Sequence, residues 1–149
     1  MRFLFIAAIL IQACGAADES GDAGSAPALA GTTWVSNCLN IPGAVRPGIK
    51  AVYEFAGATM VLTMAGYADK ACSLPEETIT EERTWTIGSA VGGLTNAWAI
   101  DYVGETGTVY QIVSVTGDTL RIGDTITGDT TTPEERPTSL STTVELRRQ

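Results

Sequence analysis

The chain has 149 residues, 44% hydrophobic and 17% charged, with 17 Asp plus Glu against 9 Lys plus Arg and no histidine. That length suits one domain with a real core rather than two. A formal net charge of -8 argues against a nucleic-acid surface, which draws its affinity from clustered Lys and Arg, and a chain without histidine cannot build Ser-His-Asp or Cys-His catalysis. The first element in chain order is the apolar run "FLFIAAILIQACGA", from Phe3 to Ala16. Its greasy part, about 11 residues, would cover only about 16 Å as a helix, against a hydrocarbon core of about 30 Å, so it is too short to span. A basic start (Met1, Arg2), an apolar centre, small residues and then an abrupt polar switch follow the grammar of an export signal.

The end of that run, Ile11-Gln12-Ala13-Cys14, resembles the bacterial lipobox. The resemblance implies that residues 1–13 are a signal peptide removed before Cys14, and that Cys14 carries a diacylglyceryl group and an N-acyl chain. Several chains on one cysteine hold a domain stably to a membrane, each buried CH₂ contributing about 0.8 kcal/mol. Gly15 after the cysteine resembles the pattern of lipoproteins sent to the outer membrane, so the expected place is the exported bacterial envelope, facing the periplasm or the surface. The alternative is an ordinary secretory signal cut near Ala16 or Ala17, with Cys14 lost. Residues 14–30, the lipidated cysteine and "GAADESGDAGSAPALA", are small and acidic, and predict a flexible tether of roughly 20 to 24 Å typical reach.

With Cys14 assigned to lipid, Cys38 and Cys72 remain. An oxidising compartment favours their pairing, and neither a C-x-x-C spacing nor a histidine supports a metal or redox site. From residue 31 to 149 the pattern is strands throughout: Thr32 to Ser36, Lys50 to Phe55, Thr59 to Tyr67, Glu82 to Ile87, Ala97 to Val103, Val109 to Val115, Thr119 to Asp124 and Ser139 to Arg147. Tight turns are expected at Gly57, Gly104 to Gly107 and Gly117-Asp118. Trp98, Ile100 and Tyr102 alternate with Ala99 and Asp101, and Leu140, Val144 and Leu146 oppose Ser141, Thr143 and Glu145. The fold class is all-β, a single antiparallel up-and-down barrel of about eight strands, with a β-sandwich as the alternative.

The segments "LAGTTWVSNC", "YEFAGATMVLTMAGYADKAC", "RTWTIG", "AIDYV" and "RPTSLSTTVELRR" resemble the small lipocalin-like (calycin-type) domains of bacterial lipoproteins. Gly31, Trp34, Cys38, Cys72, Arg136 and Pro137 carry the likeness. It implies a barrel with a mouth able to take a ligand, and assigns no catalytic residue.

The remaining chemistry is sparse. Asp101 and Glu54 are the strand carboxylates formally available to a hydrolase, and both are expected to point outward. Glu76, Glu77, Glu81, Glu82 and Arg83 in "EETITEER" match no calcium loop and read as a solvated connection. Asp124, Asp129, Glu134 and Glu135 predict a mobile acidic loop at the barrel mouth. No metal site, cofactor or catalytic residue is expected. Trp34, Trp85, Trp98 and Tyr102 are first of all core residues, and are the candidates for ligand contact. The function expected is a membrane-tethered, non-enzymatic barrel that binds a small apolar ligand. The alternative is a protein-binding module, such as an inhibitor of an envelope lysozyme or protease.

Overall fold

In a computed structural model that describes residues 24–40, 43, 45–124 and 130–149, the chain forms nine strands, with no helix among the described residues. They are β1 (Thr32–Ser36), β2 (Leu39–Asn40), β3 (Gly48–Ala56), β4 (Thr59–Tyr67), β5 (Pro75–Ala90), β6 (Ala97–Gly104), β7 (Gly107–Thr116), β8 (Thr119–Gly123) and β9 (Leu140–Arg148). Each strand from β3 to β9 pairs antiparallel with the next, and β1 pairs with both β9 and β3. An eight-strand up-and-down barrel therefore closes, and the two-residue β2 adds to the start of β3.

The turns fall where glycine permits them. Gly57 (φ 58°) joins β3 to β4, and Gly117 (φ 57°) joins β7 to β8. Period-two alternation then selects the interior: Phe55, Met60, Ile100, Val113, Leu120 and Leu146 are all at most 2% exposed and form one core with Trp34. The barrel is filled at this level rather than hollow.

The two ends differ. At the floor, Gly31 N–H donates to Phe55 O (2.6 Å) beside the β3–β4 turn, and Leu29, ahead of the first strand, is buried in the core. The tether expected to run to residue 30 is thus already part of the fold at Leu29, because a leucine that reaches an open barrel end gains about 1.5–3 kcal/mol by burial. At the opposite end, the mouth, lie Gly48 of β3, Tyr67 of β4 and the 68–74 loop. Cys38 and Cys72 form a disulfide there (Cα–Cα 5.8 Å). Gly48 lets that loop lie close, since a Cβ would collide with Asp69 O and sit 3.0 Å from Cys72 Sγ. Asp69 caps the loop by accepting hydrogen bonds from Ser73 N–H (2.9 Å), Ser73 Oγ–H (2.7 Å) and Leu74 N–H (2.9 Å), which hold its carboxyl below the usual range.

Two expectations need correction. β5 begins at Pro75 rather than Glu82 and is 16 residues long, so "EETITEER" is strand, not connection. Thr78, Ile79 and Thr80 have strand-forming side chains, and the acids are tolerated because two arginines face them: Arg46 lies 2.8 Å from Glu77, and Arg83 lies 2.6 Å from Glu81. The connection from β8 to β9, expected to be mobile, is anchored over its described part. Arg136 donates to Ile100 O (3.1 Å) and Gln111 O (2.8 Å), pairs with Asp101 (2.7 Å) and stacks 5.3 Å from the Tyr110 ring. Pro137 is fully buried near Ile112 on the barrel's outer wall. Asp129 lies outside the described residues, as do the signal peptide and Cys14.

Candidate functional site

At the mouth, β3, β4 and the first half of β5 continue as paired strands where β5 has no partner on its β6 side. β5 meets β6 only from Thr84 onward, whereas its pairing with β4 extends back to Pro75. The concave face of this three-strand extension carries Ile49, Met64 and Ile79, in which Met64 and Ile79 are cross-strand partners. The loop before β3 folds over the same face. Its Arg46 lies against Gly66, where any side chain would strike the arginine Cδ at 2.5 Å. Between them is an open cleft of about 310 Å³ lined by Val45, Arg46, Ile49, Met64, Gly66, Glu77 and Ile79. Its apolar residues are unusually exposed: Val45 93%, Ile79 54% and Met64 38%. Exposed apolar side chains gathered at one concave place mark a binding surface more often than a solvated one.

Beneath the cleft the β5 side chains on the inner face change from apolar to charged and back: Ile79, Glu81, Arg83, Trp85. Arg83 Nη2 donates to Glu81 Oε2 at 2.6 Å, and its Nε is buried with no hydrogen-bond partner among the described residues. The bond from Arg83 holds the Glu81 carboxyl below its usual value. Tyr53 and Tyr102 complete this level. Burial pushes both phenols up; for Tyr102 the neighbouring Tyr53 adds to the rise, and Arg83 opposes it at both. The two hydroxyls therefore stay neutral near neutral pH.

The four aromatic candidates do not converge on this cleft. Trp34 (1% exposed) sits near the floor, its Nε1–H donating to Thr32 Oγ1 at 2.7 Å. Trp98 packs against the core and, with Trp34, Pro27 and Ala28, lines a second and more polar cleft of about 370 Å³ at the floor. Trp85 lies edge-on to Phe55 (5.2 Å between centroids) and donates to Thr59 O at 3.2 Å. Tyr102, its cross-strand partner, is 4% exposed. All four pack in or against the core, and Tyr102 alone stands under the cleft. Asp101 points outward into its ion pair with Arg136, and Glu54 is exposed on the outer face. Among the described residues no three His, Cys, Asp or Glu side chains group as a metal ion would require.

Sequence reasoning missed Val45, Ile49 and Ile79 as cleft residues. The available signal was Thr78-Ile79-Thr80, a period-two apolar residue inside an acidic run. A scan against protein-family models finds no match for the chain, and a search of curated proteins finds none either.

Proposed function

We propose that the chain is a lipid-anchored protein of the bacterial envelope, a lipocalin-like barrel without enzymatic activity that takes a small apolar ligand in its mouth. The observation that carries the reading is the open apolar cleft of about 310 Å³, walled by Ile49, Met64 and Ile79. Its size suits a compact apolar group, because the barrel below is filled with side chains and leaves the ligand half seated. The tether enters at the floor, and β3 runs from Phe55 there to Gly48 at the mouth, roughly 23 Å at about 3.3 Å per residue. The described end of the tether and the cleft thus lie at opposite ends of the barrel. The Cys38–Cys72 disulfide accords with an oxidising compartment.

Native mass spectrometry of the chain purified from its own envelope reads both halves of the proposal at once. The expected mass lacks residues 1–13, carries acyl chains on Cys14 and includes a small non-covalent adduct lost on activation. An unacylated chain that begins after Cys14 contradicts the anchor, and a gently prepared protein with no adduct contradicts the ligand.

A further inference from the structure

β5 has two strand neighbours over its C-terminal half and one over its N-terminal half. Among the described residues, Pro75–Arg83 pairs with β4 alone. Trp85 N–H donates to Ala58 O on the β4 side, so by strand alternation the N–H and C=O groups of Thr78, Thr80 and Glu82 point to the other side, away from β4. No described residue receives or donates a backbone hydrogen bond there. An open edge of this kind is a template for a further strand.

The side chains bordering it define what fits. On the inner face stands Ile79, 54% exposed and part of the cleft wall, so an added strand would set an apolar residue beside it. On the outer face stand Thr78, Thr80 and Glu82, all exposed. Glu77 and Glu81 are ion-paired with Arg46 and Arg83, and no cation lies within salt-bridge distance of Glu82 among the described residues. A second copy of this chain is a poor occupant, because edge-to-edge pairing would set Thr78, Thr80 and Glu82 of one copy against the same three residues of the other and bring no cation to Glu82.

We propose that the edge from Thr78 to Glu82 docks an extended strand of a protein partner whose side chains alternate apolar and basic, the apolar ones facing Ile79 and the basic ones facing Glu82. This goes beyond the small-ligand reading and rests on a different feature, the unpaired backbone rather than the cleft. The edge lies at the mouth, the end of the barrel opposite the buried Leu29.

The test uses the full chain in a mild nonionic detergent and two tagged, capped hexapeptides, one alternating lysine with valine and one alternating glutamate with valine. The lysine peptide is expected to bind at least about ten-fold more tightly, and Glu82→Gln to weaken it about two- to three-fold. Its binding should slow amide exchange at Thr78, Thr80 and Glu82. Thr80→Pro removes a donor that points away from β4, in an extended backbone that proline accepts at a sheet edge. That variant is expected to melt within a few degrees of the wild type, to lose the peptide at least about ten-fold, and to keep its affinity for an apolar fluorophore in the cleft. Equal affinity for both peptides, or unchanged binding by a folded Thr80→Pro, would overturn the proposal. So would a self-association of the wild type that Thr80→Pro abolishes, since the edge would then belong to a second copy. Should Thr80→Pro fail to fold, the amide-exchange pattern and the Glu82→Gln ratio decide.

Discussion

Trp34→Ala is expected to destabilise the barrel by about 3–5 kcal/mol, the range for deleting a buried aromatic side chain. Trp34 is the largest of the fully buried side chains, and its removal does more than leave a cavity. Its Nε1–H donates to Thr32 Oγ1, whose own hydroxyl donates to Leu29 O at 2.5 Å; that relay ties the first strand to the leucine that plugs the floor. The Arg148 guanidinium lies 5.9 Å from the indole centroid, so the end of β9 loses a neighbour as well. Urea unfolding should show a lower midpoint, and thermal unfolding a fall of roughly 10–20 °C. Trp34→Phe keeps most of the apolar volume and loses the relay, for a cost of about 1–2 kcal/mol. A loss below about 1 kcal/mol in Trp34→Ala would mean that the floor is not closed as described.

The second large effect belongs to the disulfide. Cys38 and Cys72 are 34 residues apart, and the chain-entropy model assigns a loop of that size about 3–4 kcal/mol. Cys38→Ser should lose most of it, and the loss should have a place. The bridge pins the 68–74 loop to the link between β1 and β2, and that loop carries the end of the extension formed by β3, β4 and β5. Amide exchange is expected to quicken in β4 and in the first half of β5, which has no partner on its other side, before it does so in β6 to β8. Equal urea midpoints with and without a reductant that opens the bridge would contradict the assignment.

The barrel was legible because its signals are local. Glycine at 57, 107 and 117 marks turns, and Trp98, Ile100 and Tyr102 alternate with Ala99 and Asp101 as a wall residue pattern must. The pairing of Cys38 with Cys72 followed from the compartment implied by the export signal. The first half of β5 was not legible, because four glutamates in eight residues look solvated until Arg46, from the loop before β3, and Arg83, two residues along the same strand, are known to pair with three of them. Arg83 and Glu81 point inward at the one level where the wall opens, and no periodicity reveals where a barrel ends. Leu29 read as tether for the same reason: its partner is a hole in the tertiary structure. Arg136 and Pro137 stood out in the sequence as part of a likeness, and their physical task, clamping the last connection onto Asp101 and Tyr110, emerged only in three dimensions. The cleft is the sum of these non-local facts, since it exists only where β5 outruns β6.

On the function proposed above, apolar binding takes place at the mouth, on Ile79 and Met64, above the packed core of the barrel. Titration of an environment-sensitive apolar fluorophore into wild type and Ile79→Glu tests it most directly. Ile79 is half exposed and outside the packed core, so the variant is expected to keep its unfolding midpoint while losing at least about ten-fold in affinity, a carboxylate placed in an apolar cleft being costly to desolvate. Single-site binding is expected in the wild type and its loss in a folded Ile79→Glu. Undiminished binding in Ile79→Glu would contradict it and would place the ligand elsewhere.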